Sequence, residues 1–254
     1  MGLWTFTHLY QIVPTFLIFA LLAILAAKLL GKRPERIRRI PLQVIAVIIL
    51  VLEVFKQIYA FVKEGTYDMY ALPFHYCSLF LYLLPLDSFY HGKFKPFIAA
   101  ASFACLASLA LDMLVMPSAI YGPETITGYF TDFANFHTVT FHNLVVLYFM
   151  LTVALKLYDV KTKRDIKVMT VFLAVYVVIA AVLSYTLKVN FHNLYSCNIL
   201  FIENARVAMI NAIGVFGIII YVSLLFILTI LFGYLAYALA RLVIRGVERC
   251  TAAA

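Results

Sequence analysis

Between Pro41 and Lys63 the chain reads PLQVIAVIILVLEVFKQIYAFVK. At about 1.5 Å of rise per residue, a helix of this length covers the roughly 30 Å hydrocarbon core of a bilayer. Its first half offers lipid only Gln43 as a polar side chain, whereas Glu53, Lys56 and Gln57 interrupt the second half. A charge in hydrocarbon is costly unless it is paired or faces a polar cavity, so an ionisable residue inside a span marks a candidate site. Glu53 and Lys56 stand three residues apart on one helical face. That spacing suits an internal ion pair that only fixes packing as well as it suits a site.

Outward from this stretch, apolar runs of similar length recur at 10–30, 72–90, 97–117, 137–157, 168–188 and 207–240. Hydrophobic residues make up 65% of the 254-residue chain and charged residues only 13%, a balance that excludes an ordinary soluble domain. The expected fold is all-α: one integral membrane domain, residues 1–254, with about seven transmembrane helices, or six if one run fails to span. The last run exceeds what a bilayer needs, which predicts tilt, a kink near Gly214 or Gly217, or extension beyond the membrane toward Arg241, Arg245 and Arg249.

Lys32, Arg33, Arg36, Arg38 and Arg39 fill a basic loop at 31–40, Lys93 and Lys95 the third connection, and Lys161, Lys163, Arg164 and Lys167 the fifth. The alternate loops hold mainly Glu64, Asp68, Glu124, Asp132 and Glu203. Basic residues beside spans are retained on the cytoplasmic side, which predicts the N-terminus outside, the C-terminus cytoplasmic and a multi-pass protein of the cell membrane. The net charge of +8 is then concentrated on one membrane face, where anionic lipids account for it without nucleic acid. No basic segment precedes the first apolar run, so that run reads as a retained helix rather than a signal peptide, and Phe6 stands where myristoylation of Gly2 requires Ser or Thr.

Cys77, Cys105, Cys197 and Cys250 are scattered, without the paired spacing of a disulfide scaffold or a cysteine zinc site. No nucleotide-binding, serine-elbow or HExxH motif is present, and no cofactor is expected. Threaded by the predicted topology, Glu53, Lys56, His75, Cys77, Asp112 and His142 fall between mid-membrane and the outer face. If 72–90 is helical, His75 and Cys77 lie about 200° apart around it and cannot pair with one another. A thiol and imidazole pair must then form between helices, most naturally from Cys77 and His142. Cys77 alone fits a small apolar filler as well, and Cys105 reads as core. His137 reads as an interface marker and Asp87 as a hydrated anchor. Asp112 must be paired or protonated; a metal bound by His75, His142 and Asp112 has no ligand spacing in its favour. The outer loop 189–206, with Asn190, His192, Asn193 and Asn198, suggests a partly re-entrant segment able to cap a site, or an ordinary loop ordered by Asn turns.

Four short motifs, Glu53–Lys56 (EVFK), Leu72–Ser78 (LPFHYCS), His142 opening a long apolar helix and Val189–Asn193 (VNFHN), carry a resemblance. Their order and spacing resemble the bacterial YwaF-like integral membrane family over about residues 42–215. The chain is also similar to the eukaryotic transmembrane-protein-164 family, which includes an acyltransferase acting on ether phospholipids, and more distantly to membrane lipid hydrolases. The resemblance implies an outward-facing lipid acyl-transfer site: Cys77 as nucleophile, His142 as general base and acid, and His75 as a positioning group. Glu53, Lys56, Asp112, Asn190 and Asn193 would line it and bind a phospholipid or acyl-lipid substrate. One departure stands out. In the acyltransferase branch the thiol directly precedes the histidine of LP-x-H, and here Phe74 occupies that place, leaving Cys77 three residues on as the replacement. The alternative is a transporter or binding protein in which Glu53, Asp112 and His142 hold a small solute or lipid headgroup, or relay protons.

Overall fold

The computed structural model describes residues 4–67, 69–197 and 200–252. Gly2, Asp68 and Asn198 lie outside the described residues, as do the side chains of Glu64, Arg249 and Cys250. Among the described residues all regular structure is helical: α1 Phe6–Leu30, α2 Glu35–Arg38, α3 Ile40–Glu64, α4 Phe80–Phe89, α5 Lys95–Val115, α6 Pro123–Thr127, α7 Phe133–Ala154, α8 Thr162–Leu187, α9 Leu200–Ile213 and α10 Val215–Ala252. Six helices are long and apolar enough to cross a membrane, built on α1, α3, α5, α7, α8 and α10.

Local chemistry sets the ends. Pro41 opens α3, where its missing N–H costs nothing, and Gly65 closes it in the left-handed conformation with its N–H on Phe61 O. Asp132 caps α7 by accepting from the Asn135 N–H, and a hydrogen bond from the Tyr59 hydroxyl holds its carboxyl below the usual carboxylate range. Lys188, also left-handed, ends α8.

The helix α5 is the axis of the bundle. Ala100, Ala101, Ala104, Ala107 and Ala110 are buried along it, so α4, α7, α8 and α10 approach it closely. By contrast α1, α3 and α10 turn outward such residues as Leu21, Val54, Phe55, Leu228 and Leu231, the surface expected against lipid tails. All the basic connections gather at one end: Arg38 donates to Leu155 O after α7, Lys95 pairs with Asp87 at 2.6 Å, and Tyr237 of α10 donates to Asp165 of α8. Tyr59 with Asp132, and His8 with Tyr121 O, join the opposite end.

Two expected helices are broken. The run at 72–90 is irregular until a single 3-10 turn at Cys77–Leu79, and only Phe80–Phe89 is α-helical. The described residues thus hold six helices long enough to cross a membrane rather than seven, and the run at 72–90 is an irregular segment joined to a short helix. The run at 207–240 is not one kinked helix, because Gly214, at φ 59°, separates α9 from α10. The two helices fold back on each other: Gly217 faces Met209, and the Arg206 guanidinium lies 5.8 Å from the Tyr221 ring. Residues 200–206, expected in a loop, are the first turns of α9.

The hairpin gives a test of the fold. A Cβ on Gly217 would stand 2.5 Å from Met209 O, which is backbone and cannot step aside, whereas a Cβ on Gly214 would meet nothing within 4 Å. Gly217→Val should cost about 1–3 kcal/mol by overpacking and depress the melting temperature in detergent. Gly214→Ala should cost about 1–2 kcal/mol through its left-handed backbone alone. Equal melting temperatures for the wild type and the Gly217 variant would mean that α9 and α10 are not in contact.

Candidate functional site

Lipid offers no hydrogen bonds, so irregular backbone at membrane depth must find its partners within the protein. Segments 69–79 and 188–197 both do so. In the first, Ala71 O accepts from the Gln57 amide, Tyr70 O from the His75 ring, Pro73 O from the Tyr82 hydroxyl and Phe74 O from the Tyr176 hydroxyl. In the second, the Phe191 N–H donates to Ser184 Oγ, and Leu194 O and Asn193 O accept from the Tyr185 and Tyr221 hydroxyls. Asn190 Oδ1 receives the N–H groups of Tyr195 and Ser196. The second segment folds back along α8: His192 reaches the ring of Tyr176, eleven residues or about 16 Å back from the end of that helix.

The two segments meet ring against ring. Phe191 packs edge-on against Phe74 and His75, with centroids 6.1 and 5.1 Å apart, and His192 stacks on Tyr76 at 5.4 Å. The motifs LPFHYCS and VNFHN, more than a hundred residues apart in the chain, are thereby one piece of structure.

Lys56 of the EVFK motif lies on α3. Its ammonium pairs with Glu53 Oε1 at 2.8 Å, as the i,i+3 spacing allows, and Gln57 donates to the same oxygen at 2.6 Å. The contact that brings α7 to this pair is His137, whose Nε2 lies 3.5 Å from Glu53 Oε2; among the described residues no hydrogen bond or ion pair joins Lys56 to His75, Cys77 or His142. His142 is buried, and its Nδ1–H donates to Thr138 O at 2.6 Å. A carbonyl can only accept, so Nε2 is the ring nitrogen left to take a proton. No hydrogen bond joins Cys77 to His142 among the described residues; Cys77 is a half-buried free thiol.

The expectation that helical phase separates His75 from Cys77 loses its premise, because no α-helix exists there. His75 is turned away by another cause, its bond to Tyr70 O and its packing between Tyr70 and Phe191. Asp112 stands near the end of α5, with Oδ1 buried and without a hydrogen-bond partner among the described residues. Asn190 spends its side-chain oxygen inside its own loop, and Asn193 is exposed. His75, His142 and Asp112 do not converge, and among the described residues no three metal-ligating side chains do. A groove of about 260 Å³ between α1 and α7, lined by Thr15, Tyr129, Thr140 and Asn143 among others, includes neither Cys77 nor His142.

Other readings need correction. His137 is not a solvent-facing side chain but buried, with Nε2 3.5 Å from Glu53 Oε2. Asp87 is no hydrated anchor, since it is buried between Lys95 and the Tyr148 hydroxyl. Sequence reasoning names His192 only as part of a loop able to cap a site and gives Tyr76 no role, although each sits inside one of the four motifs. The signal available is their company: aromatic and imidazole rings next to Pro and Asn in otherwise apolar chain.

A family model described as the TMEM164 family matches residues 3–236, nearly the whole chain. No curated protein and no solved structure matches it.

The ion pair yields a test independent of any activity. Removing one partner of a fully enclosed pair costs about 3–5 kcal/mol; the Lys56 side chain is 23% exposed, so Lys56→Met should cost less, about 2 kcal/mol. The double variant Glu53→Gln/Lys56→Met should recover at least half of the melting temperature lost by the single one. A single variant as stable as the wild type would show that Glu53 needs no counter-charge.

Proposed function

The chain belongs to the TMEM164 family, and we propose that it is an enzyme of membrane lipids that transfers or hydrolyses an acyl group. Cys77 is the nucleophile, His142 the base and acid, and His75 a positioning group. The observation that carries this reading is His142: it is buried on α7 with Nδ1 committed to Thr138 O, which leaves Nε2 to take a proton, and α7 packs on α3 beside the Glu53 and Lys56 pair. An ammonium in a low-dielectric surrounding attracts a lipid phosphate and favours the oxyanion that forms when a thiolate adds to an ester carbonyl. His142 Nε2, free because Nδ1 is committed to Thr138 O, takes the thiol proton and returns it to the leaving alcohol. The proton crosses through a bound water, or once substrate draws the two groups together. His75, held by Tyr70 O and Phe191, fixes the turn that carries Cys77.

The orientation belongs to the same proposal. The basic end faces the cytoplasm of a cell membrane and meets anionic lipid, so the Lys56 group, in the half of α3 nearer Gly65, opens toward the outer leaflet. A second reading rests on Asp112: a buried carboxylate oxygen without a partner suits a protein that binds a solute or relays protons.

His142→Ala should lower acyl transfer by about 10²–10⁴-fold while the protein still elutes as a folded species in detergent. Cys77→Ser should lose the acyl-thioester trapped on the wild type. Undiminished turnover in either variant removes that residue from the mechanism. Uptake of solute into proteoliposomes driven by a proton gradient, lost in Asp112→Asn and without lipid turnover, would instead support the second reading. For the orientation, a protease should reach a C-terminal tag only after cells are permeabilised; digestion on intact cells would reverse it.

A further inference from the structure

One face of α1 carries polar side chains at helical spacing: His8, Gln11 and Thr15 follow one another at i, i+3 and i+7. A chain of hydrogen bonds leads from it to α7. The His8 ring holds Tyr121 O at 2.9 Å, the Tyr121 hydroxyl donates to Gln11 Oε1 at 2.7 Å, and Gln11 Nε2 donates to Asn143 Oδ1 at 3.1 Å. The Tyr121 proton sets the direction of the chain, so its last member, the Asn143 amide, keeps both protons of Nδ2 without an acceptor among the described residues.

The groove of about 260 Å³ between α1 and α7 begins where that chain ends, and it is open on one side. Asn143 lines it with Thr15, Tyr129 and Thr140, and none of its lining residues is charged. The Thr15 hydroxyl makes no hydrogen bond among the described residues. Tyr129 and Thr140 share a bond of 3.1 Å, which takes one of their two hydroxyl protons, whichever donates, and leaves the other unspent. The groove is therefore rich in neutral donors and calls for a neutral acceptor.

Depth narrows the ligand further. Thr15 stands nine residues after the start of α1 and Asn143 ten after that of α7, about 14 and 15 Å from the ends opposite the basic connections. The 25 residues of α1 exceed the roughly 30 Å hydrocarbon core by about 7 Å, which puts both groups about 10 Å or more inside it. Lipid tails bring no acceptor there, and an unspent donor is costly. An ester carbonyl accepts without carrying charge. A lipid with a charged headgroup would have to pull that charge into hydrocarbon to bring its esters so low, whereas an acylglycerol without one would not. Ile18, Leu22 and Leu25, on the side of α1 that bears Thr15, are exposed and continue the groove with an apolar track.

We propose that this groove binds an uncharged acylglycerol by its ester carbonyls. Asn143 and Thr15 donate to the carbonyls, with the Tyr121 and Gln11 dipoles polarising the Asn143 amide from behind, and one acyl tail lies along Ile18, Leu22 and Leu25. The site uses neither Cys77 nor His142 and needs no acyl transfer, so it stands or falls apart from that reading.

The probe is a diacylglycerol with a photoactivatable diazirine partway along one acyl chain, irradiated with the full chain in phosphatidylcholine nanodiscs. Peptide mapping of the wild type should place the adduct within residues 15–25 or 140–150. The dialkyl ether of the same chain length, which has no carbonyl, should displace the probe about tenfold less well than unlabelled diacylglycerol, the loss expected for one or two hydrogen bonds. A phosphatidylcholine bearing the same diazirine should label these residues at least tenfold less. Thr15→Val should lower labelling about fivefold at an unchanged melting temperature, because the hydroxyl it removes bonds to nothing in the protein. Asn143→Leu should lower labelling further, and Cys77→Ala should leave it as it is. An adduct elsewhere in the wild type, equal displacement by ether and ester, or equal labelling by the phosphatidylcholine probe would overturn the site. The mapping and the competition use no variant, so their outcome does not depend on how the substitutions fold.

Discussion

The structure turns on one constraint: a peptide group at membrane depth must be hydrogen-bonded, and lipid cannot do it. Long helices meet the requirement by themselves. Segments 69–79 and 188–197 do not, and their carbonyls and N–H groups are taken up instead by Gln57, Tyr82, Tyr176, Tyr185, Tyr221, Ser184 and Asn190. Those partners sit on α3, α4, α8 and α10 or within the loop itself. Each irregular segment is therefore tied to several helices at once, and the bundle closes around both.

From this tie follows the division of polar groups. Two rings of LPFHYCS meet the second segment: His75 packs between Tyr70 and Phe191, and Tyr76 stacks on His192 beside Tyr176 of α8. A helix there would have carried its backbone bonds internally and needed none of the surrounding tyrosines. The irregular chain exchanges that self-sufficiency for a placement of side chains that no helical phase would give. The buried pairs at the basic end, Asp87 with Lys95 and Asp165 with Arg164 and Tyr237, hold helix ends together far from these groups.

Much of this is legible in the sequence. The apolar runs locate the long helices to within a few residues at most ends, and Glu53 with Lys56 announces an ion pair from spacing alone. Asn190 serves as the expected turn-maker, accepting from the Tyr195 and Ser196 N–H groups, and the loop folds back along α8 to bring His192 to Tyr176. The misreadings share a cause. Hydropathy cannot distinguish a helix from an irregular stretch of the same composition, so 72–90 reads as helical and invites a phase argument that fails. Distance along a span places His137 and Asp87 wrongly, because their surroundings depend on which helix lies opposite, with Glu53 of α3 in one case and Tyr148 of α7 in the other.

By itself the sequence determined that the chain is a helical membrane protein, which end is basic and which residues are too polar for lipid, because each of these follows from the transfer cost of side chains taken one at a time. Only the tertiary structure decided how those residues are grouped. His137 meets Glu53, and His192 meets Thr229 and Tyr76, through contacts between segments tens to more than a hundred residues apart. The physical reason is that these groupings arise from packing one helix against another and from satisfying backbone that no helix satisfies, and both depend on partners that local sequence does not contain.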